Sequence, residues 1–257
     1  MAVDRDDETV VQMLLDAKAD PSARNGDAST ALRLAAECCR ERVVMMLVRA
    51  GVAREAAARN PGEDTLLHGA ADEGSEKMVR RLLVAGADVT ARDHFDRTPL
   101  IIAAAAEGGS VEVVKMLLVA GADPAAKDSR EMTALHWAAL VDRDAVAQVL
   151  LAAGADASAS DIGNDTPLHI ASDRGFEKVV MLLLDANADM SARNSEDDTP
   201  LQCAAAGGHQ NVVGMLQLAA EQMRSVAFAM GNQERLGTAS LVRGLEPGVL
   251  RMVLDLA

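Results

Sequence analysis

Aromatic residues are nearly missing from this chain. Of its 257 residues, 2% are aromatic: there is no Tyr, one Trp at position 137, and Phe at positions 95, 176 and 228. A core built on large rings is therefore excluded. Apolar residues still make up 49% of the chain, so Leu, Val, Met and Ala must fill the interior. Such small and aliphatic side chains suit short helices that pack closely.

Cysteine is also scarce. Cys38 and Cys39 are adjacent and Cys203 occupies a core-type helix position, so no disulfide framework and no paired zinc-binding cysteines are expected. The first eight residues are acidic and lack the basic and apolar regions of a secretory signal. We therefore expect a reducing, intracellular compartment, the cytoplasm or the nucleus, with an organelle as the open alternative.

Basic charge is in deficit, because 25 Lys and Arg face 39 Asp and Glu, which gives a net charge of −14. Phosphate backbones and anionic membrane surfaces would repel such a chain, so nucleic-acid binding is not expected. No apolar run reaches the 18 residues that a membrane-spanning helix needs, so membrane insertion is not expected either.

What the chain does contain is one segment repeated six times. Each copy has a small-residue stretch, then a Val/Leu/Met run, then Gly-Ala-Asp or a close variant. A period of 33 to 35 residues predicts a repeat architecture, in which each unit buries its apolar face only against its neighbours. The copies begin at Thr30, Thr65, Thr98, Thr133, Thr166 and Thr199.

The second copy illustrates the local structure that we expect. Thr65 can cap a short helix over residues 66–73, and a second helix follows over 76–85 with apolar residues at i, i+3/i+4 spacing. Gly86 suits the left-handed conformation that ends such a helix, and residues 87–96 then run out as an extended loop. Helices this short are marginal alone, so packing between copies must stabilise them.

The recurring T-P-L-H, the paired alanines, the V-V-x-x-L-L run and G-A-D resemble the ankyrin repeat, over roughly residues 9 to 224. The resemblance implies an all-α helical solenoid with β-hairpin-like finger loops. It also implies that the concave surface, built from fingertips and first helices, binds other proteins.

The departures from the pattern define the domain organisation. We expect a solenoid over residues 1–231, with a half repeat at 1–29 and six repeats from the threonines above. Lys18, Asn187 and Ala220 replace the glycine that ends a second helix. Ala220 is unsuited to the left-handed conformation, so the last helix should continue until Gly231. Two copies carry two extra residues each, within 52–59 and within 103–109.

Residues 232–257 match no repeat and form a tail. Pro247 suits the first turn of a helix, and an apolar stripe follows it at Val249, Leu250, Val253, Leu254 and Leu256. Because the terminal units of solenoids need a covering element, we expect a carboxy-terminal helical cap.

The histidines predict no metal site. His68, His136 and His169 share one repeat position, where the ankyrin resemblance implies a structural role, and His209 lies in a Gly-His turn. Equivalent residues of adjacent repeats should lie roughly 8–10 Å apart, whereas zinc ligands must all lie ~2 Å from one ion.

No catalytic or cofactor-binding motif is present. Gly108-Gly109 and Gly207-Gly208 lack the strand and the Lys-Ser/Thr of a phosphate loop. Carboxylate pairs lie on predicted loop tips open to water, whereas burial is what shifts a carboxylate's pKa towards a catalytic value. We expect neither an enzyme nor a small-molecule substrate nor a cofactor.

The third to fifth copies carry apolar residues at positions that the family leaves free for binding, with charged residues beside them. Apolar patches with an Arg-containing rim are typical of interaction sites. The alternative is that Leu140 and Val141 pack inward or under the next finger. The candidate partner-binding residues are His94, Phe95, Arg97, Arg130, Met132, Leu140, Val141, Ile162, Asp165, Asp173 and Arg174.

These patterns predict a non-catalytic scaffold that binds another protein through the concave face of repeats three to five. Two alternatives stay open. Ser240-Leu241 and the following Leu245 and Val249 resemble a short ubiquitin-ligase recruitment box, which would make the chain a substrate adaptor, although a Leu stands where that box has Cys. The chain could instead be a structural subunit of a larger complex.

Overall fold

The computed structural model describes residues 8–20, 31, 34–35, 41–47, 65–84, 86–106 and 109–236. These residues are mainly helical and belong to two compact units, divided between Ala134 and Leu135. Most of the first full repeat, the predicted insertion at 52–59 and the tail from 237 lie outside the described residues.

Among the described residues, the first unit has two complete helix pairs, and two further helices with defined bounds precede them. In each pair the first helix is called inner and the second outer. The described helices are α1 (Glu8–Asp16), α2 (Glu41–Leu47), α3 (Leu66–Asp72), α4 (Glu76–Val84), α5 (Pro99–Ala105) and α6 (Val111–Val119). Inner α3 packs on outer α4, and α5 packs on α6 in the same way. Between the pairs, α3 packs on α5 and α4 packs on α6, while α1 packs on α2.

The second unit continues the same pairing. Its described helices are α7 (Ala134–Leu140), which begins one residue before the division, α8 (Asp144–Ala152), α9 (Pro167–Arg174), α10 (Glu177–Asp185), α11 (Pro200–Ala206) and α12 (Gln210–Leu236). Inner α9 packs on inner α11 and on outer α10, and α10 packs on both α8 and α12. The predicted helical repeat architecture is confirmed.

Apolar stripes on the outer helices form the core. In α4, α6, α8 and α10 the positions that match Val79 and Leu82 are buried in every case, as at Val180 and Leu183. Spacing of i, i+3 and i+4 places these side chains on one helical face. The stripe predicted from sequence in the second copy is therefore the side that packs against neighbouring helices.

The ends of the outer helices follow the expected turn chemistry. Gly86, Gly121 and Gly154 have left-handed φ values of 82°, 92° and 86°. Lys18 and Asn187 adopt the same conformation, with φ of 58° and 61°. At Ala220 the chain instead stays helical, as predicted, because alanine is unsuited to that region. Helix α12 then passes the expected end at Gly231 and reaches Leu236.

Each described finger closes with one shared hydrogen bond. The first residue donates its backbone N–H to the carbonyl oxygen of the fifth at 3.0 Å, in fingers 93–97, 128–132, 161–165 and 194–198. The fourth residue of each has a positive φ, as at Asp96 and Asn164. Among the described residues the fingers form no strand, and one antiparallel bridge joins Lys127 to Thr133.

Candidate functional site

Buried histidines join three of the described inner helices, α3, α7 and α9, each to the finger that follows it. In the second unit, Nδ1 of His169 accepts the backbone N–H of Thr166 at 3.1 Å. The opposite nitrogen, Nε2, therefore carries the proton in this hydrogen-bond assignment and donates to the carbonyl oxygen of Asp198 at 3.1 Å. His136 and the carbonyl oxygen of Asp165 lie 3.2 Å apart in the same way. These imidazoles position the fingers.

His68 makes the equivalent bond in the first unit, where its Nε2 lies 3.0 Å from the carbonyl oxygen of Arg97. His209 has a different role. Its Nε2 lies 2.8 Å from the carbonyl oxygen of Asp173, and its ring packs on Gly175 and Gly207. A Cβ at Gly207 would lie 2.7 Å from the ring, so these two glycines make room for the imidazole.

The fingertip of the third repeat is aromatic and basic. His94 is exposed and so is Phe95, with half of its surface accessible; their rings are 3.8 Å apart. The Arg97 guanidinium lies 4.9 Å from the centre of the Phe95 ring, within the range of a cation–π contact. Arg97 also bonds to the Asp93 carboxylate at 2.7 Å. This finger therefore presents the Phe95 ring at its surface, and Arg97 and Asp93 fix the position of that ring.

The Asp93 carboxylate is the anchor of that finger. It accepts the backbone N–H groups of Phe95 and Arg97, both at 2.8 Å. Burial alone would raise its pKa, but the hydrogen bonds and the charge from Arg97, together with the Phe95 N–H, hold the pKa below its ordinary value.

One prediction for the fourth repeat, that Met132 belongs to a binding patch, is wrong. Met132 is 5% exposed, so it is part of the core and not of a binding patch. Its N–H donates to Asp128 Oδ1 at 3.0 Å and its carbonyl oxygen accepts the Asp128 N–H, which turns the side chain inward at the base of the finger. Arg130 at the tip is exposed. The Ser129 N–H donates to the Phe95 carbonyl oxygen at 2.9 Å, so the two described fingers of this unit are linked.

The second unit holds the other predicted residues. Leu140 and Val141, at the end of α7, are half-buried, which lies between the two interpretations made from sequence. Ile162 is 72% exposed at its fingertip, Asp165 is half-buried, and Asp173 and Arg174 at the end of α9 are exposed. Arg174 lies 3.9 Å from the Asp173 carboxylate.

The sixth repeat contributes residues that sequence reasoning missed. Asn194 donates from Nδ2 to Asp165 Oδ1 at 2.9 Å, which joins the fifth and sixth fingers. Cys203 on α11 is half-buried, and burial raises the pKa of its thiol to about 11 together with the nearby carboxylates of Asp165, Asp198 and Asp173. The sequence did contain one signal for these residues, because Asp165 and Asp198 each directly precede the threonine that opens a repeat.

The family search identifies the architecture. A family model described as ankyrin repeats in three copies matches residues 1–93, 67–161 and 155–224. The chain belongs to the ankyrin repeat family. No curated protein sequence matches it. Ankyrin repeats are generally protein–protein interaction modules, so the fingertips and inner helices of this ankyrin repeat protein are its candidate binding surfaces.

The described residues contain neither a metal-binding cluster nor a membrane-spanning helix. Within the described ranges, no three His, Cys, Asp or Glu side chains are grouped so that they could hold a metal ion. None of the described helices combines the length and hydropathy that crossing a bilayer requires.

Proposed function

We propose that this ankyrin repeat protein is a non-catalytic scaffold that binds another protein through the fingertips and inner helices of its third to fifth repeats. The observation that carries the proposal is the placement of Phe95 and Ile162. Each is a large apolar residue at a fingertip, 50% and 72% exposed. Large exposed apolar residues are informative when charged residues lie beside them, as Arg97 lies beside Phe95 and Asp165 lies in the same finger as Ile162.

The fingers that carry these residues are preorganised. Each closes on its own backbone, and a neighbouring finger and a histidine hold it in place, as Ser129 and His68 do in the first unit. Binding through an ordered loop costs less conformational entropy than binding through a loop that must first fold. The net charge of −14 favours a protein partner over a nucleic acid. The same proposal places the chain in a reducing compartment, the cytoplasm or the nucleus.

Variants of the full-length chain test the proposal. Phe95→Ala and Ile162→Ala, made separately, should each reduce capture of the natural partner about tenfold, because truncating a central apolar anchor costs ~1–2 kcal/mol. Quantitative affinity capture with mass spectrometry measures the loss, and circular dichroism checks helical content.

Matched controls come from the outer helices, where Val84 and Met181 are 86% and 53% exposed. Val84→Ala and Met181→Ala remove apolar surface of the same kind and should leave capture unchanged. If these controls lose the partner while the fingertip variants keep it, the binding surface lies on the outer helices and the proposal is wrong.

A further inference from the structure

The geometry points to a partner segment that is both basic and aliphatic, and that docks in extended form across the fifth and sixth repeats. The receiving surface, called here the acidic finger surface, consists of Ile162, Asp165, Ile170, Asp173, Asp198 and Cys203. The inference rests on the proposed function and adds the chemistry of the partner and the repeats that select it.

The apolar part of this surface lies on two packed inner helices and one fingertip. Ile170 on α9 and Cys203 on α11 occupy the same position, four residues after the threonine that opens each repeat, and both are half-buried. Because α9 packs against α11, equivalent positions are neighbours. Ile162 adds a largely exposed aliphatic side chain from the adjacent finger. Aliphatic side chains of a partner would gain buried area here.

The rim of the surface is acidic. Asp165 and Asp198 each end a finger, at the position that Arg97 and Met132 occupy in the first unit. Among the described residues, no Lys or Arg forms an ion pair with Asp161, Asp165 or Asp198. Residues 155 to 200 contain ten Asp or Glu and three Lys or Arg.

Those three basic residues do not neutralise the rim. Lys178 pairs with Asp144 at 3.6 Å, and Arg193 pairs with Asp197 at 3.1 Å. Arg174 lies beside Asp173 at 3.9 Å, with both side chains more than half exposed. Such exposed pairs are weak, so a cationic partner can compete for Asp173.

The pKa of the Cys203 thiol reflects the negative electrostatic potential of the acidic finger surface. Its pKa is raised first by burial and then by the carboxylates of Asp165, Asp198 and Asp173, which disfavour a further negative charge there. The same potential favours a cation placed at that point. Partial burial strengthens the attraction, because the effective dielectric constant is lower than in bulk water.

The repeat spacing constrains the partner sequence. Adjacent packed helices lie roughly 8–10 Å apart. Three residues of a chain extended as a polyproline II helix span about 9 Å and return the side chain to the same face. Basic side chains three residues apart would therefore meet Asp165 and Asp198 in turn, with an aliphatic residue between them facing Ile170 and Cys203. The link from Asn194 to Asp165 and the Ser195 N–H to Gly163 carbonyl bond of 2.8 Å hold the two fingers at a constant separation.

Fluorescence polarisation tests the inference with a labelled synthetic peptide, Gly-Arg-Leu-Ser-Arg-Leu-Ser-Arg-Gly, and the full-length protein. The double variant Asp165→Asn, Asp198→Asn should bind about tenfold more weakly, because it removes two ion-pair partners and keeps the side-chain shapes. The double variant Asp185→Asn, Glu221→Gln removes the same charge from exposed positions on α10 and α12, and should change the Kd less than about twofold. Replacing both Leu residues of the peptide with Ser should weaken binding, and replacing its three Arg residues with Ser should also weaken binding.

Alkylation of Cys203 gives a second readout that does not depend on affinity alone. In a Cys38→Ser, Cys39→Ser background, bound peptide should slow the reaction of Cys203, and Asp185→Asn, Glu221→Gln should not prevent this protection. Equal weakening by both double variants would reduce the effect to net charge and overturn the inference, as would peptide binding without protection of Cys203.

The inference and the proposed function can fail separately. If the natural partner is lost from Phe95→Ala and Ile162→Ala but is fully retained by Asp165→Asn, Asp198→Asn, the inference fails and the proposed function stands. If the partner is retained by both fingertip variants, the proposed function fails.

Discussion

At the scale of single residues, Ser172 is an exception to the pattern of small inner-helix residues. Its side chain is fully buried, and its hydroxyl has no hydrogen-bond partner among the described residues. The equivalent positions in three other repeats hold buried alanines: Ala71, Ala104 and Ala139. A buried hydroxyl without a partner loses its hydration and gains no bond in return.

Ser172→Ala should therefore raise the free energy of unfolding by about 1 kcal/mol. Urea denaturation monitored by circular dichroism measures the change, and Ser225→Ala on the exposed face of α12 serves as a control that should stay within ~0.5 kcal/mol. Lower stability of the Ser172→Ala protein would show that the hydroxyl has a partner.

Asp93 predicts a pH dependence with a definite sign. Its folded pKa lies below the ordinary value of 3.8, so its contribution to stability is complete above that value and is lost as pH falls through the folded pKa. Asp93→Asn should be less stable than the wild type at pH 7, because the Arg97 guanidinium loses its charged partner.

The stability difference between these two proteins should shrink as the pH is lowered from 5 to below 3. Urea midpoints at each pH measure it. A difference that stays constant to pH 2 would contradict the assignment of Asp93 as the charged anchor of its finger.

At the scale of elements, repetition made the helices predictable. The expected helices over 66–73 and 76–85 are observed as Leu66–Asp72 and Glu76–Val84. Six copies of one pattern show which positions keep apolar residues, and apolar spacing determines which helical face packs. Helix α12 was predictable only in part. Ala220 showed that the helix would continue, but Gly231 did not end it, since glycine weakens a helix without always terminating it.

Individual residues in the fingers were harder to interpret from the sequence. Arg97, Met132, Asp165 and Asp198 occupy the same position, yet Met132 is buried while Arg97, Asp165 and Asp198 are half-buried. Whether that position faces water depends on how each side chain turns from a shared backbone. The interpretation of Met132 as exposed was therefore wrong, whereas Phe95 and Ile162 are exposed at their fingertips.

The sixth repeat remains partly open among the described residues. Leu201 and Val213 are half-buried and Ala205 is exposed, whereas their counterparts in the fifth repeat, Leu168, Val180 and Ser172, are fully buried. Terminal solenoid units need a cover. The tail stripe from Val249 to Leu254 matches that need and lies outside the described residues.

Leu250→Ser with Leu254→Ser should lower the free energy of unfolding by about 2 kcal/mol, if the tail covers this face and loses apolar burial. The matched variant Arg251→Ser with Asp255→Ser, on the charged positions of the same segment, should have little effect. Equal stability of both double variants, measured by urea denaturation, would contradict the capping role.

At the scale of the whole molecule, the chain is acidic, but its two units present different chemistry at their fingertips. The first unit shows Phe95 with Arg97 and Arg130, and the second shows Ile162 with Asp165 and Asp198. The fold and the functional class, a protein-interaction module, could be predicted from the repeat, because the same pattern must pack in every copy. The specificity for one partner could not, because it depends on positions where the copies differ, and each such difference appears in one copy.

The most direct test of the central claim, that fingers and inner helices bind a protein partner, is hydrogen exchange of the full-length protein with and without its captured partner. We predict slower exchange in peptides that cover residues 93–97, 161–165 and 170–174, while the exchange rates of α4, α6 and α10 stay unchanged. Protection confined to those outer helices, with the fingers exchanging as in the free protein, would contradict it.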